Sequence, residues 1–155
     1  MLFRSLDVNR DGSGIRVVDY KTGRVYRQNP HALFDAGRKL QLPLYLLAGA
    51  MIYKLPSLQQ SLAQYYYASS AGGFEVHALS GGRCEEELDA LRSILQILSG
   101  AILEGRFPAV PVVGKSRNCL ICDFRLVCDR NIDRVAAFKA DSSALLFLRR
   151  LENYP

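Results

Sequence analysis

The run Val17-Val18-Asp19-Tyr20-Lys21-Thr22-Gly23 holds the residue types best suited to chemistry. Two β-branched residues lead into an acid, an aromatic and a lysine, and Thr22-Gly23 follows. Side chains alternate between faces in an extended strand, so Asp19 and Lys21 are expected on one face and Tyr20 on the other. An acid and a lysine on one face at a strand end can hold a divalent cation and the anion beside it. A bare Asp-x-Lys is also what a plain ion pair looks like, because short motifs match by chance. The remainder of the chain has to decide between them.

Cys119, Cys122 and Cys128 form Cys-x2-Cys-x5-Cys. Soft thiolates at this spacing reach one metal or one face of an iron–sulfur cluster. A tetrahedral zinc or a cubane cluster wants a fourth ligand, and Cys84 is the one cysteine left. Spacing alone leaves zinc and iron–sulfur both open. Two other patterns fail on inspection. Asp7, Asn9, Asp11 and Gly12 open like a calcium loop, but Val18 stands at its twelfth position, where an acid is needed, and Gly14 at its eighth. Gly114-Lys115-Ser116 would need a glycine five residues earlier to be a phosphate loop, and Ala109 is there.

The elements that must position these groups follow from pattern. Leu2–Val8 and Gly14–Tyr20 read as a hairpin around the turn Asn9-Arg10-Asp11-Gly12-Ser13. Residues 24–36 read as a loop, and a helix is predicted from Asp35 or Ala36 to about Lys54. Its buried face is expected at Leu40, Leu44, Leu47 and Met51, with Pro43 tolerated in the first turns or kinking it. Gln41 and Tyr45 lie four apart and project from one side. Gln64–Ser70 and Phe74–Leu79 read as strands. Glu85–Glu104 reads as an amphipathic helix with Leu88, Leu91, Leu95, Leu98 and Ile102 inward, three glutamates in its first turn and Gly105 as its stop. Pro108 and Pro111 lead into the cysteines, and short helices are predicted over 132–139 and 142–152.

At 155 residues and 49% apolar, the chain suits one domain with a substantial core. The expected division is a core over 1–107 and a cysteine-containing helical segment over 108–155. The most apolar stretch, Leu40–Ile52, is broken by Gln41, Pro43 and Gly49 and is too short to span a membrane. Met1–Ser5 lacks the apolar run of a secretory signal, so a cytoplasmic protein is the default. Net charge is +5, from 20 Lys+Arg against 15 Asp+Glu, which leans towards polyanions. Arginine far outnumbers lysine, which suits bidentate phosphate contacts. Four cysteines in a cytosolic setting favour a metal site over disulfides.

Taken together, Asp7, Asp19-Tyr20-Lys21-Thr22-Gly23, Gln41-Leu42-Pro43-Leu44-Tyr45 and the cysteine cluster resemble the RecB-type branch of the PD-(D/E)XK nuclease superfamily. The likeness is strongest to the nuclease domain at the C-terminus of AddB-like helicase–nuclease subunits, and it extends to Gly105-Arg106-Phe107-Pro108 and Phe138-Lys139. It implies an α/β fold: a small mixed β-sheet flanked by helices, as in restriction endonucleases, with a cysteine-containing C-terminal helical lobe. It implies Asp7 and Asp19 as ligands of Mg²⁺ or Mn²⁺. Lys21 would activate water and steady the phosphate, and Gln41 and Tyr45 would lie beside the substrate backbone. Cys119, Cys122 and Cys128 match the last three ligands of a 4Fe-4S cluster. The implied activity is deoxyribonuclease, an exonuclease on single-stranded DNA ends, partnered with a helicase subunit or domain in double-strand-break repair and recombination. Ser5, Leu6 and Val8 depart from the family's glycine before the first acid and arginine after it, and the turn is a residue short. The first cluster cysteine and a histidine or glutamate ligand would lie upstream of Met1, so the chain is expected to be an N-terminally truncated fragment. The alternatives are a non-catalytic DNA- or partner-binding module of the same fold and an exonuclease of the CRISPR-adaptation kind.

Overall fold

Asp11 spends its carboxylate on a turn. It accepts from the Ser13 hydroxyl at 2.6 Å and the Ser13 N–H at 3.0 Å, bonds that hold its pKa below the ordinary carboxylate value. Gly12 takes the left-handed φ of +71° beside it, and the Asn9 N–H closes onto the Gly14 carbonyl at 2.9 Å. The turn joins β1 (Arg4–Val8) to β2 (Ile15–Lys21) as an antiparallel hairpin, with Val8 opposite Ile15 and Arg4 opposite Asp19.

The computed structural model describes residues 4–25, 32–107, 123–126, 132–139 and 141–154. After β2 come α1 (Gln41–Tyr53), β3 (Leu62–Tyr67), β4 (Val76–Ser80), α2 (Gly81–Glu86) and α3 (Leu88–Leu103). Two short helices follow, α4 (Ile132–Lys139) and α5 (Leu146–Leu151). The sheet order is β1-β2-β3-β4, with β2 and β3 parallel and the outer pairs antiparallel. Parallel neighbours need a crossover, and α1 lies in that connection. This is the expected mixed sheet with flanking helices, consistent with a restriction-endonuclease-like α/β core.

Alternation along the strands sets the core. Ile15 and Val17 of β2, Ala63 of β3 and Leu79 of β4 share a face, and they pack with Leu42 and Leu46 of α1, Leu58 and Cys84. Asp19 and Lys21 continue the Ile15–Val17 row by period two. Tyr20 points to the other face, its ring edge-on to Tyr66 at 5.8 Å.

Two helices differ from expectation. The first begins at Gln41, because Asp35, Ala36 and Gly37 have φ of 47°, 53° and 83°, incompatible with a right-handed helix. Pro43 therefore sits in the first turn, where no intrahelical N–H is needed. Its buried residues are Leu42, Pro43, Leu46 and Gly49, while Met51 is 79% exposed. A helix apolar nearly all round offers no periodicity from which to choose a face. The predicted Glu85–Glu104 helix is two helices separated at Glu87. Glu85 lies late in the first of them, accepting from the Ser57 hydroxyl, the Leu58 N–H and the Gln59 amide. Leu91, Ile94, Ile97 and Ala101 are the buried residues of α3, and Ile102 is exposed. Gly105, with φ of +67°, ends it as expected, the Arg106 N–H reaching the Ala101 carbonyl at 2.8 Å.

The chain divides into two compact units, Met1–Ile94 with Tyr154–Pro155, and Leu95–Asn153. The first contains the whole sheet. The second includes the rest of α3, α4 and α5, with Leu145 and Leu151 buried.

Gly81 joins β4 to α2 where two backbones nearly touch. Its N–H donates to the Ser61 carbonyl at 2.8 Å, and a Cβ there would collide with the Leu58 carbonyl and lie 2.9 Å from the Ser61 oxygen. Neither atom belongs to a side chain that could turn aside. Gly81→Ala is expected to lower stability by about 2 kcal/mol. Gly100→Ala, in α3 with nothing within 4 Å of the new methyl, should raise it by roughly 0.5–1 kcal/mol. Urea unfolding of both variants checks the contrast.

Candidate active site

Asp19 is the centre of the site, and its side chain has 0% exposure. Its position on the covered face of a central strand follows from the Ile15–Val17–Asp19 alternation. Among the described residues, neither carboxylate oxygen accepts a directed hydrogen bond. What faces them is charge. Lys21 Nζ lies 2.6 Å from Oδ2, an ion pair rather than a directed hydrogen bond, and Arg4 Nε lies 3.6 Å from Oδ1.

From Lys21 the contacts run through the start of α1 and return. Lys21 Nζ donates to Gln41 Oε1 at 3.1 Å. Gln41 Nε2 donates to the Tyr45 hydroxyl at 2.7 Å. The Tyr45 ring carries the Arg4 guanidinium 4.6 Å from its centroid. Five side chains therefore close a cycle: Asp19, Lys21, Gln41, Tyr45, Arg4. Gln41 and Tyr45, one turn apart on one helix face, hold the two cations that hold the acid.

Tyr65 of β3, directly opposite Asp19, lies under Lys21, whose Nζ is 4.7 Å from its ring centroid. Burial first, then the Asp19 charge, pushes the Tyr65 phenol up to about 12. Burial, with Glu75 and Asp19, raises Tyr67 as well. Lys21 and these tyrosines border a cleft of about 1400 Å³ to which Arg24, Arg38 and Lys39 also contribute.

Four of the expected site residues, Asp19, Lys21, Gln41 and Tyr45, come together. Asp7 does not. It pairs with Arg16, and it is exposed. Opposed residues share a face, so Arg4, Leu6 and Val8 face the Asp19 side while Ser5 and Asp7 face away. Sharing an ion between Asp7 and Asp19 is excluded by that register, and the described residues contain no cluster of three His, Cys, Asp or Glu able to hold a metal. Cys119, Cys122 and Cys128 lie outside the described residues. Cys84 is a free thiol in the core; burial, helped by Glu85, pushes it up to about 11, against the thiolate a metal requires. Arg4 and Tyr65 were not anticipated. The turn read from the sequence would set residue 3 opposite Asp19, and only the observed register brings Arg4 there.

Comparison with known families places the chain as a whole. The family model of the PD-(D/E)XK nuclease superfamily matches residues 4–129, well over half of the chain. This chain belongs to that superfamily. No curated protein and no solved structure matches it. The superfamily supports nuclease-type hydrolysis of nucleic acid in general and a general use of Mg²⁺ or Mn²⁺. Asp19 is a hard oxygen donor of the kind such an ion takes, with Arg4 and Lys21 facing its two oxygens in this structure. Among the described residues, no helix is long and apolar enough to cross a membrane.

The raised phenol of Tyr65 has a consequence for stability. Its pKa in the folded protein is above the ordinary 10, so its contribution is complete below pH 10 and is lost as pH rises towards about 12. The urea midpoint should fall across that window, and Tyr65→Phe should flatten the fall. An identical slope in both proteins would show that Tyr65 ionises as it does in the unfolded chain.

Proposed function

We propose that this chain is a metal-dependent DNA nuclease domain hydrolysing phosphodiester bonds. The observation that carries the reading is the buried Asp19 carboxylate paired with Lys21 beside a cation-lined cleft, in a chain of this superfamily. Asp19 would hold Mg²⁺, which when bound supplies a hydroxide near neutral pH and polarises the phosphate. Lys21 places a positive donor where negative charge accumulates. Gln41 fixes the Lys21 amine through its Oε1, and Tyr45 fixes Gln41. Arg24, Arg38 and Lys39 line the approach of a phosphate backbone.

The finer reading rests on the Asp-Tyr-Lys-Thr-Gly, Gln-x-x-x-Tyr and cysteine motifs. On it, the chain is a single AddB-like domain over 1–155, working within a cytoplasmic helicase–nuclease as an exonuclease on single-stranded ends during double-strand-break repair and recombination. Cys119, Cys122 and Cys128 would be three ligands of a 4Fe-4S cluster. Anaerobically purified protein should then contain iron and absorb in the visible; zinc without iron would give the cysteines to zinc instead.

The activity test is degradation of single-stranded DNA with Mg²⁺. Asp19→Ala and Lys21→Ala are each expected to slow it by about 100-fold or more, as loss of a key electrostatic group does. Equal rates in all three proteins would remove the assigned site. A second reading, a non-catalytic DNA-binding module, is favoured by one observation: an arginine, not an acid, stands opposite Asp19. It predicts no cleavage with any divalent ion and a DNA affinity that falls steeply with salt.

A further inference from the structure

Arg4 has no part in the reaction outlined above, yet it occupies the most consequential position on β1. Directly opposed residues of an antiparallel pair have Cβ atoms about 4.5–5.5 Å apart. Position 4, opposite Asp19, is thus the β1 position from which a second carboxylate could share an ion with it. The chain places a guanidinium there instead.

The surroundings hold that guanidinium in place. Its Nε is 3.6 Å from Asp19 Oδ1, and the Tyr45 ring supports its Cζ at 4.6 Å. Lys21 occupies the other carboxylate oxygen. One negative charge is flanked by two positive charges, so the cluster sums to +1. A divalent cation approaching Asp19 meets net repulsion and a single anionic ligand. It also finds the carboxylate closed off, for Asp19 has no exposed surface, whereas the Arg4 side chain is 42% exposed and has solvent to move into.

We propose that Arg4 is the resident counter-ion of Asp19: it holds the place of a second metal-binding carboxylate and keeps divalent-ion affinity low until it is displaced. This rests on the metal-dependent reading of the same site. It makes Arg4 a positioning residue whose charge, rather than any contact with substrate, sets how much metal the site takes up.

The test is Mn²⁺ binding to the full chain without DNA, read from the electron paramagnetic resonance signal of the unbound ion. Arg4→Gln removes the competing charge and should tighten Mn²⁺ binding by about tenfold. Arg4→Asp supplies the missing carboxylate and should tighten it further. Arg4→Lys keeps the charge and should bind as weakly as the parent, which separates charge from general disturbance of β1. Adding Asp19→Asn to Arg4→Asp should abolish the gain. Parent-like affinity in both Arg4→Gln and Arg4→Asp overturns the proposal, as does a gain that survives Asp19→Asn. DNA cleavage is scored separately. Tighter Mn²⁺ binding with no cleavage in any variant removes the nuclease reading alone, and cleavage with unchanged Mn²⁺ affinity removes this inference alone.

Discussion

Among the described residues, Asp19 is a carboxylate without solvent exposure and without a directed hydrogen bond, a costly thing to bury. After relaxation the penalty for burying such an ion is still several kcal/mol, so Asp19 persists only because cations were buried or half-buried with it. Those cations need holders of their own. Lys21 lies over the Tyr65 ring and donates to Gln41, and Arg4 rests on Tyr45. The polar start of α1 is explained by this need. Gln41 and Tyr45 interrupt an otherwise apolar helix at the two positions from which side chains reach the two cations. An apolar residue at position 19 would extend the Ile15–Val17 row at far lower cost, and the penalty that an acid carries there points to function rather than stability.

The sheet was readable because period-two alternation and a strong turn fix a hairpin locally. Pairing Asp19 with Lys21 needed nothing more, and the Gln-x-x-x-Tyr spacing needed only helix geometry. Asp7 was misplaced by a single residue of register. A five-residue turn, Asn9–Ser13, sets Val8 opposite Gly14 and puts Asp7 on the Asp19 face. The observed turn also takes in Gly14, setting Val8 opposite Ile15. One residue moves every β1 side chain to the other face. Gly14 closes the turn opposite Asn9, whose N–H its carbonyl accepts, and its backbone is pressed against the Gln60 carbonyl, where a Cβ would collide, 46 positions away. That contact is tertiary, and no local pattern reveals it.

The helices failed for a different reason. α1 is apolar on nearly every side, so which residues face the sheet depends on where the crossover from β2 delivers it. The left-handed backbone at Asp35, Ala36 and Gly37 delays its start to Gln41. Leu42 and Leu46 then meet Ile15 and Val17 in place of the Leu44 row. Its real amphipathic signal is polar rather than apolar: Gln41 and Tyr45 mark the face turned to Asp19. In α2 and α3, Gly81 fits between the Leu58 and Ser61 carbonyls and starts a helix four residues early. Glu85 is thereby moved from a first turn to a tether on the 57–59 loop.

Lys21 is the residue common to the Asp19 cycle and to the cation-lined cleft. Arg24, Arg38 and Lys39 set a positive field in that cleft, and a phosphate backbone lowers its energy by entering it. Once there, it offers Lys21 an anion outside the cycle, and one ammonium cannot sit fully on both a phosphate and Asp19. Each partner weakens the hold of the other by the same free energy. An anion in the cleft would therefore draw on the same amine that neutralises the buried Asp19 carboxylate, and Gln41, which holds that amine through its Oε1, sets how it is divided between them.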